Sequence, residues 1–199
     1  MDESGNPTIQ EKLARLEPTQ MTVGYAEVVL KREDWQQRSQ AHRQKLLATH
    51  LFPAVRGPEG RYFITDHHHL GRALIEESVD EVQLQLVSDL SHLAADEFWV
   101  VMDHNQWVHP YDSNGQRRNF SDVPQSLLDL ADDPYRSLAA EVRRAGGYQK
   151  DLTPFAEFLW ADFFRRRIPA SQLTSDPNAA LQEAIKLAQT SDAAHLPDS

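Results

Sequence analysis

The stretch Ile64-Thr65-Asp66-His67-His68-His69-Leu70-Gly71-Arg72-Ala73 decides how the fold is arranged around its candidate site. It follows the strand-like segment 60–64, and its second half has the pattern of a helix. A helix that begins directly after a strand presents free backbone N–H groups and attracts anions, phosphate above all. Histidine titrates near neutrality and is the commonest metal ligand. This point of the chain therefore combines an anion site, proton-transfer groups and side chains that could hold a metal.

Asp66 is predicted to be the N-cap, which places His67, His68 and His69 in the first turn of a helix that ends near Glu77. Adjacent helical residues point about 100° apart, so the three imidazoles cannot face one ligand equally. His68 and His69 are the strongest catalytic candidates, because imidazole holds a phosphate oxygen when protonated and accepts a proton when neutral. Asp66 and His67 are candidates for substrate binding. The alternatives are that Asp66 is only a cap and that the histidines belong to a polar surface turn.

The composition is that of an ordinary soluble protein, with 40% hydrophobic and 25% charged residues, and the 199 residues suffice for one domain with a real core or for one domain plus an extension. No apolar run approaches the roughly 18 residues of a membrane span. The segment 1–10 is polar and lacks the apolar region of a signal peptide. The chain has no cysteine, which excludes disulfides, thiolate zinc sites and thiol nucleophiles. We therefore expect a cytoplasmic protein.

The charge pattern limits the class of partner that the chain can bind. The formal net charge is −10, and the only dense basic run is 165–167. An acidic chain is repelled by nucleic-acid phosphates unless a basic patch is segregated on one face. The expected partner is therefore a nucleotide or another phosphate-containing small molecule. Nucleic acid is disfavoured without being excluded.

Strands and helices alternate in the first half of the chain, and helices dominate the second. Strands are predicted at 23–30, 52–55, 61–64 and 82–87. Helices are predicted at 31–50, 67–77, 91–103, 127–145, 155–167 and 177–189, and a hairpin around the turn 112–115. This order predicts an α+β fold, a small mixed β-sheet with flanking helices plus a C-terminal helical subdomain.

The same pattern predicts how the chain is divided. Its expected parts are a polar lead-in at 1–18, an α/β domain at 19–125, a helical subdomain packed on it at 126–168, and a peripheral helix and tail at 169–199.

Three groups of motifs carry a family resemblance. The first is Leu16-Glu17-Pro18-Thr19-Gln20 with Val23-Gly24, Glu27-Val28 and Lys31. The second is Asp66-His67-His68-His69. The third lies in the helical half: Asp132-Asp133-Pro134-Tyr135-Arg136-Ser137-Leu138-Ala139, Gly146-Gly147-Tyr148-Gln149-Lys150 and the segment 154–163. From about Leu16 to Ile168, the chain resembles the putative ParB-like nuclease family of the ParB/sulfiredoxin-like superfamily.

The resemblance implies a fold that binds nucleotide or nucleic-acid phosphates at the start of the histidine-bearing helix. Its relatives include CTP-binding partition proteins, ATP-using sulfiredoxins and free-serine kinases. Partition proteins carry Gly-Glu-Arg-Arg at this helix start, so the two arginines that grip a triphosphate are missing here. Sulfiredoxins carry a cysteine, whose absence excludes thiol repair. Support for activity from fold analogy alone is weak.

Further candidates lie outside the histidine run. By resemblance to the kinases, Glu27 is a candidate base; otherwise it is a strand residue that faces water. Arg72 and Lys31 are candidates for binding substrate. Arg136 and Lys150 either pair with the carboxylates of the helix 155–167, in an ion network that braces the helical half, or close one side of the histidine pocket as substrate-binding residues.

The leading hypothesis is an enzyme that hydrolyses a phosphodiester or transfers phosphate, with histidine as acid and base at a helix N-terminus. One alternative is a non-catalytic module that binds a nucleotide or small anion. Another is a metal-dependent enzyme that acts on a non-phosphate small molecule. No metal-ligating residues are assigned, because neighbours in sequence chelate poorly, but a divalent metal stays open as a cofactor.

Overall fold

The computed structural model describes residues 8–150 and 153–197. The strands in this part of the chain are β1 (Thr8–Lys12), β2 (Leu16–Pro18), β3 (Thr22–Val23), β4 (Leu51–Arg56), β5 (Tyr62–Ile64), β6 (Glu81–Asp89) and β7 (Ala131–Asp132). The helices are α1 (Tyr25–Gln37), α2 (Gln40–Thr49), α3 (His68–Glu76), α4 (Ala95–His104), α5 (Pro134–Arg144), α6 (Ala156–Arg165), α7 (Ala170–Ser175) and α8 (Pro177–Ala188).

A mixed five-stranded sheet has the order β1-β6-β4-β5-β2. The pairs β1–β6 and β4–β5 are antiparallel, whereas β4–β6 and β2–β5 are parallel. The short strands β3 and β7 form a separate parallel pair. The α+β prediction is confirmed. Because Pro18 pairs with Ile64 at the end of β2–β5, the next residue, Thr19, lies beside the start of α3.

Both faces of the sheet are covered. Ile64 packs in a cluster with residues of α1 and α3, whereas its neighbour Phe63 packs with Phe98 and Met102 of α4. This alternation is the period of two that a strand imposes. No helix within the described ranges has the length and apolarity needed to cross a membrane.

The helical half has its own core, built from α5, α6 and α8. Trp160 and Phe164 of α6 are fully buried in it. Ala180, Ala184 and Ala188 occupy one buried stripe of α8 in the same cluster. The helix expected to be peripheral in 169–199 therefore belongs to this core. Small side chains on the stripe explain why its burial is hard to see in the sequence.

The predicted strand at 23–30 is wrong beyond Val23, because α1 begins at Tyr25. The N–H of Tyr25 donates to Asp132 Oδ1 at 2.8 Å, and the N–H of Ala26 donates to Ser137 Oγ at 3.3 Å. These partners satisfy orphan donors of the first turn of the helix. Because these partners lie far along the chain, a prediction from local sequence does not include them. The β-branched run 28–29 then favours a strand.

Other predicted bounds also change. The described part of the lead-in, residues 8–18, supplies β1 and β2 and buries Leu13 and Leu16. The helix predicted at 127–145 is interrupted by β7 and begins at Pro134, whose N-cap Asp133 accepts from the N–H of Tyr135. The hairpin at 112–115 is reduced to one bridge between residues 111 and 117. The predicted helix at 91–103 is confirmed as α4.

Candidate functional site

The starts of α3 and α6, with parts of α1 and α5, surround a cavity of about 560 Å³. We call it the central cavity. Eight of the nine site residues predicted from the sequence line it: the run 66–69 together with Glu27, Lys31, Arg136 and Lys150. The topology therefore brings together residues that are separated by more than a hundred positions along the chain.

Arg72 is the predicted residue that lies outside the lining of this cavity. Its Nε pairs with Glu76 at 3.0 Å, and its Nη1 donates to the carbonyl oxygen of Leu130 at 2.6 Å. Its guanidinium lies 4.5 Å from the ring centroid of Tyr25. These contacts join α3 to α1 and to the segment before β7, so Arg72 braces the fold.

The start of α3 differs from the predicted cap by one residue. His67 is the N-cap, with φ of 65° in the left-handed region, and Asp66 is exposed and accepts the N–H of His67 at 2.6 Å. A non-glycine residue in this region is uncommon and strained. The His67 side chain makes no capping hydrogen bond to the first turn. That turn, whose N–H groups have no acceptor within the helix, opens on the central cavity.

His68 is a core residue, 3% exposed. Its Nε2 accepts the backbone N–H of Thr19 at 3.1 Å, and the ring is also hydrogen-bonded to the backbone of Ile64. Burial lowers the pKa of His68 to about 3. Its ring is therefore neutral and holds the ends of β2 and β5 against α3. This geometry favours a structural role over the predicted catalytic one.

His69 also acts as a hydrogen-bond acceptor. Its Nε2 accepts the N–H of Gly24, the N-cap of α1, at 3.0 Å. Burial, and then the charge of Arg136, hold the pKa of His69 well below its usual value. The Nε2 lone pair that a general base would need is thus occupied by a backbone donor that fastens α1 to α3.

His67 and a histidine missed by the sequence analysis, His50, form a pair of rings at the cavity wall. Their centroids are 4.4 Å apart with an interplanar angle of 56°, and both rings contact the edge of Phe52. Nε2 of His50 is buried without a hydrogen-bond partner among the described residues. His50 directly precedes β4, and His67 lies shortly after β5. Because β4 and β5 pair antiparallel, hairpin register is the signal that could have found it.

The charge around this pair is positive. Burial lowers the pKa of His67; Asp66 raises it in part, but Lys31 and Lys150 lower it further. Burial also lowers the pKa of His50, and the charges of His67 and Lys31 act in the same direction. Both rings are therefore neutral near pH 7 and have lone pairs that could accept a proton.

Arg136 is the most unusual side chain in the cavity. It is 5% exposed, donates from Nη2 to Glu157 Oε2 at 2.9 Å, and lies 4.3 Å from the ring centroid of Phe158. Its Nε and Nη1 are buried and have no partner among the described residues. A buried donor left unpaired is costly, and a charged one more so. Two nitrogens of this guanidinium therefore have no acceptor among the described residues.

Glu157 is shared between two arginines. Arg143 Nε lies 3.2 Å from Glu157 Oε1, opposite the contact with Arg136. Burial raises the pKa of Glu157, but the charges of Arg136 and Arg143 lower it more, so the carboxylate is ionised. Arg136 therefore pairs with a carboxylate of α6, as one of the two alternatives expects, and it also lines the cavity.

Lys31, Lys150 and Glu27 complete the predicted residues. Neither lysine forms an ion pair with any residue in the described part of the chain. Glu27 lies in the first turn of α1, not in a strand, and pairs with Arg144. This ion pair occupies the carboxylate and joins α1 to α5, so the geometry favours a structural role for Glu27.

A second histidine that sequence reasoning missed lies behind Arg136. The ring of His109 is stacked on Tyr111 at 4.4 Å and lies 4.0 Å from the centroid of Phe158. Burial, and then the charge of Arg136, lower the pKa of His109 to about 3. His109 therefore packs against Phe158, the ring that contacts Arg136. No local pattern in the sequence marks this histidine.

Metal ligation has little support in this part of the chain. Within residues 8–150 and 153–197, no three His, Asp or Glu side chains are placed to hold one metal ion. The central cavity therefore offers hydrogen-bond donors and positive charge in place of a set of metal ligands.

Comparison with known proteins places the chain in a family. The family described as "Putative ParB-like nuclease" matches residues 9–166. The chain belongs to this family. The crystal structure of protein Atu1540 from Agrobacterium tumefaciens has a TM-score of 0.90 to this ParB-like chain at 45% identity, and the match covers 96% of this chain and 97% of that one. A search of the curated proteins finds no match. The predicted family is confirmed.

Proposed function

We propose that the central cavity binds a phosphate-containing small molecule, a nucleotide or a ligand of similar size. The observation that carries this proposal is Arg136, whose buried guanidinium has two nitrogens, Nε and Nη1, without a hydrogen-bond partner among the described residues. A phosphate oxygen satisfies such a fork with charge-assisted hydrogen bonds. The first turn of α6, whose residues 155–157 line the cavity beside Arg136, adds the positive end of a helix dipole.

The size and charge of the protein favour a small ligand over a long polymer. The cavity volume of about 560 Å³ falls within the usual range for small-molecule sites. The chain as a whole carries a net charge of −10, which repels a long nucleic acid away from the cavity. The phosphates of a nucleotide would lie beside Arg136, Lys31 and Lys150. Little of so small a ligand would face the acidic surface outside the cavity.

The test is calorimetric titration of the full chain with inorganic phosphate and adenosine monophosphate. Arg136→Met is expected to weaken binding about tenfold or more, because hydrogen bonds to charged groups contribute about 1.5–3 kcal/mol. Arg136→Lys keeps the positive charge, which safeguards folding. It loses the planar fork of N–H donors, so the affinity for phosphate is expected to fall as well. Arg166→Met, which removes the same charge from an exposed position on the surface of the protein, is the matched control. Unchanged affinity in a folded Arg136 variant would contradict the proposal.

A second candidate function is hydrolysis or transfer of the bound phosphate, as the family's description suggests. The observation that favours it is His67, which lines the cavity, has a lowered pKa and accepts no hydrogen bond at its ring from any described residue, so that it can accept a proton from water or a hydroxyl. His67 thus takes over the role predicted for His68 and His69, whose Nε2 atoms are engaged by backbone donors.

Turnover is tested with bis(4-nitrophenyl) phosphate and nucleoside triphosphates, with and without divalent metal ions. His67→Gln is expected to lower the rate by about 10²–10⁴, the usual contribution of a general base. His92→Gln, at an exposed histidine, is the control. Binding without turnover under every condition would exclude this second function and leave the binding proposal in place.

A further inference from the structure

We infer that the central cavity contains two anion subsites and therefore selects a ligand with two phosphate groups. This inference rests on the proposed function and defines its substrate class more narrowly. We define the arginine subsite as Arg136, Arg143 and Lys150, and the histidine subsite as His50, His67 and Lys31.

The arginine subsite has more positive charge than its carboxylate can neutralise. Arg136 and Arg143 share Glu157, while Lys150 makes no ion pair with any other described residue. Three cations and one anion leave an excess charge of two, partly buried. Because Nε and Nη1 of Arg136 also lack acceptors within the described ranges, the subsite has both the charge and the donors that a phosphate dianion requires.

The histidine subsite has its own unmet hydrogen-bonding group. Nε2 of His50 is buried at the cavity wall without a partner among the described residues. Lys31 is half-buried beside it and forms no ion pair within the described ranges. The first turn of α3 adds N–H groups from the same side. A phosphate here would accept from Lys31 and from the one N–H that each neutral imidazole carries.

The two subsites are separate but adjacent. Arg136 and Arg143 are held by Glu157 of α6, whereas His50 and His67 pack against each other and against Phe52 of β4. Lys150 lines the same cavity, and its charge acts on the pKa of both Glu157 and His67. One phosphate would fill one subsite and leave the donors of the other without an acceptor. A ligand with two phosphates would fill both.

The test compares matched ligands by calorimetry on the full chain at constant ionic strength. Pyrophosphate is compared with inorganic phosphate, and adenosine 3′,5′-bisphosphate with adenosine 5′-monophosphate. The second phosphate is expected to increase affinity about tenfold or more, the effect of one additional charge-assisted contact. A larger gain for pyrophosphate would indicate linked phosphates, and a larger gain for the bisphosphate would indicate phosphates at the two ends of a nucleoside; either supports the inference.

Variants of the histidine subsite provide the decisive arm. Lys31→Met and His50→Phe are expected to reduce the ratio of the two-phosphate to the one-phosphate affinity towards one. Lys45→Met, which removes an exposed lysine on α2, leaves that ratio as in the wild type. Equal affinity for one-phosphate and two-phosphate ligands in the wild type would overturn the inference while the proposed function stands. If none of the four ligands binds, both the inference and the proposed function are overturned.

Discussion

Replacing His68 with glutamine is expected to make the protein less sensitive to mild acid. The buried ring has a pKa of about 3 in the folded chain, against 6.5 for an ordinary histidine. Between these two values the unfolded chain binds a proton at residue 68 and the folded chain does not. Stability is therefore full above about pH 6.5 and falls as the pH is lowered towards 3.

The magnitude follows from the displacement of this pKa. Each pH unit between the folded and unfolded values changes the free energy of unfolding by about 1.4 kcal/mol. Lowering the pH from about 6.5 to about 5 thus costs the wild type roughly 2 kcal/mol through His68 alone. Glutamine does not titrate, and its amide oxygen can accept the N–H of Thr19 in place of Nε2. The variant keeps the hydrogen bond and loses this part of the pH dependence.

The assay is urea unfolding of both proteins at several pH values between about 7 and 5. The variant is less stable than the wild type at pH 7, but its stability should fall with a smaller slope, so that it loses roughly 2 kcal/mol less between about pH 7 and 5. His92→Gln, at an exposed position, is the control and should leave the slope unchanged. If the slopes of wild type and His68→Gln coincide, His68 is not a neutral core residue and the account of the α3 start is wrong.

Three substitutions test the packing, each by urea unfolding at neutral pH. Asp176→Ala should cost about 1 kcal/mol, because its side chain caps α8; no loss would contradict that cap. Gly24→Ala should cost about 1–3 kcal/mol, since a Cβ there would lie 2.7 Å from the backbone nitrogen of Ser137; a neutral result would mean that α1 and α5 separate easily. Phe164→Ala should cost about 3–5 kcal/mol, whereas Leu159→Ala on the same helix, 48% exposed, should cost less than about 0.5; similar losses would refute the assigned core.

The elements that the sequence predicts well are those whose signals are local. β5 and α3 follow from one contiguous run, and α8 follows from Asp176, which caps it from the adjacent position. The start of α1 could not be predicted in this way. Its first N–H groups are satisfied by side chains 107 and 111 positions later, so the helix is stabilised by partners that the local pattern does not contain.

The candidate site could be predicted where the family resemblance and the chemistry of the residues pointed to the same side chains. Arg136 and Lys150 were expected either to brace the helical half or to close the pocket, and only the packing of α5 against α6 brings Arg136 to the cavity wall. His50 was missed because its relation to His67 depends on strand pairing. The burial of His68 and His69 could not be read from the sequence. The sequence therefore could not distinguish histidines with a structural role from a histidine whose ring can accept a proton.

The run of three histidines shows why neighbouring residues of one type take different roles. Successive positions at a helix start diverge by about 100°, so the three rings point in different directions although all three residues line the cavity. His68 and His69 each accept a backbone N–H, from Thr19 and Gly24, and these bonds require neutral rings. A proton delivered to either would break a contact that holds the site together. Only His67, left without such a donor, can gain and lose a proton while the fold stays intact, which makes it the informative position for any chemistry in this cavity.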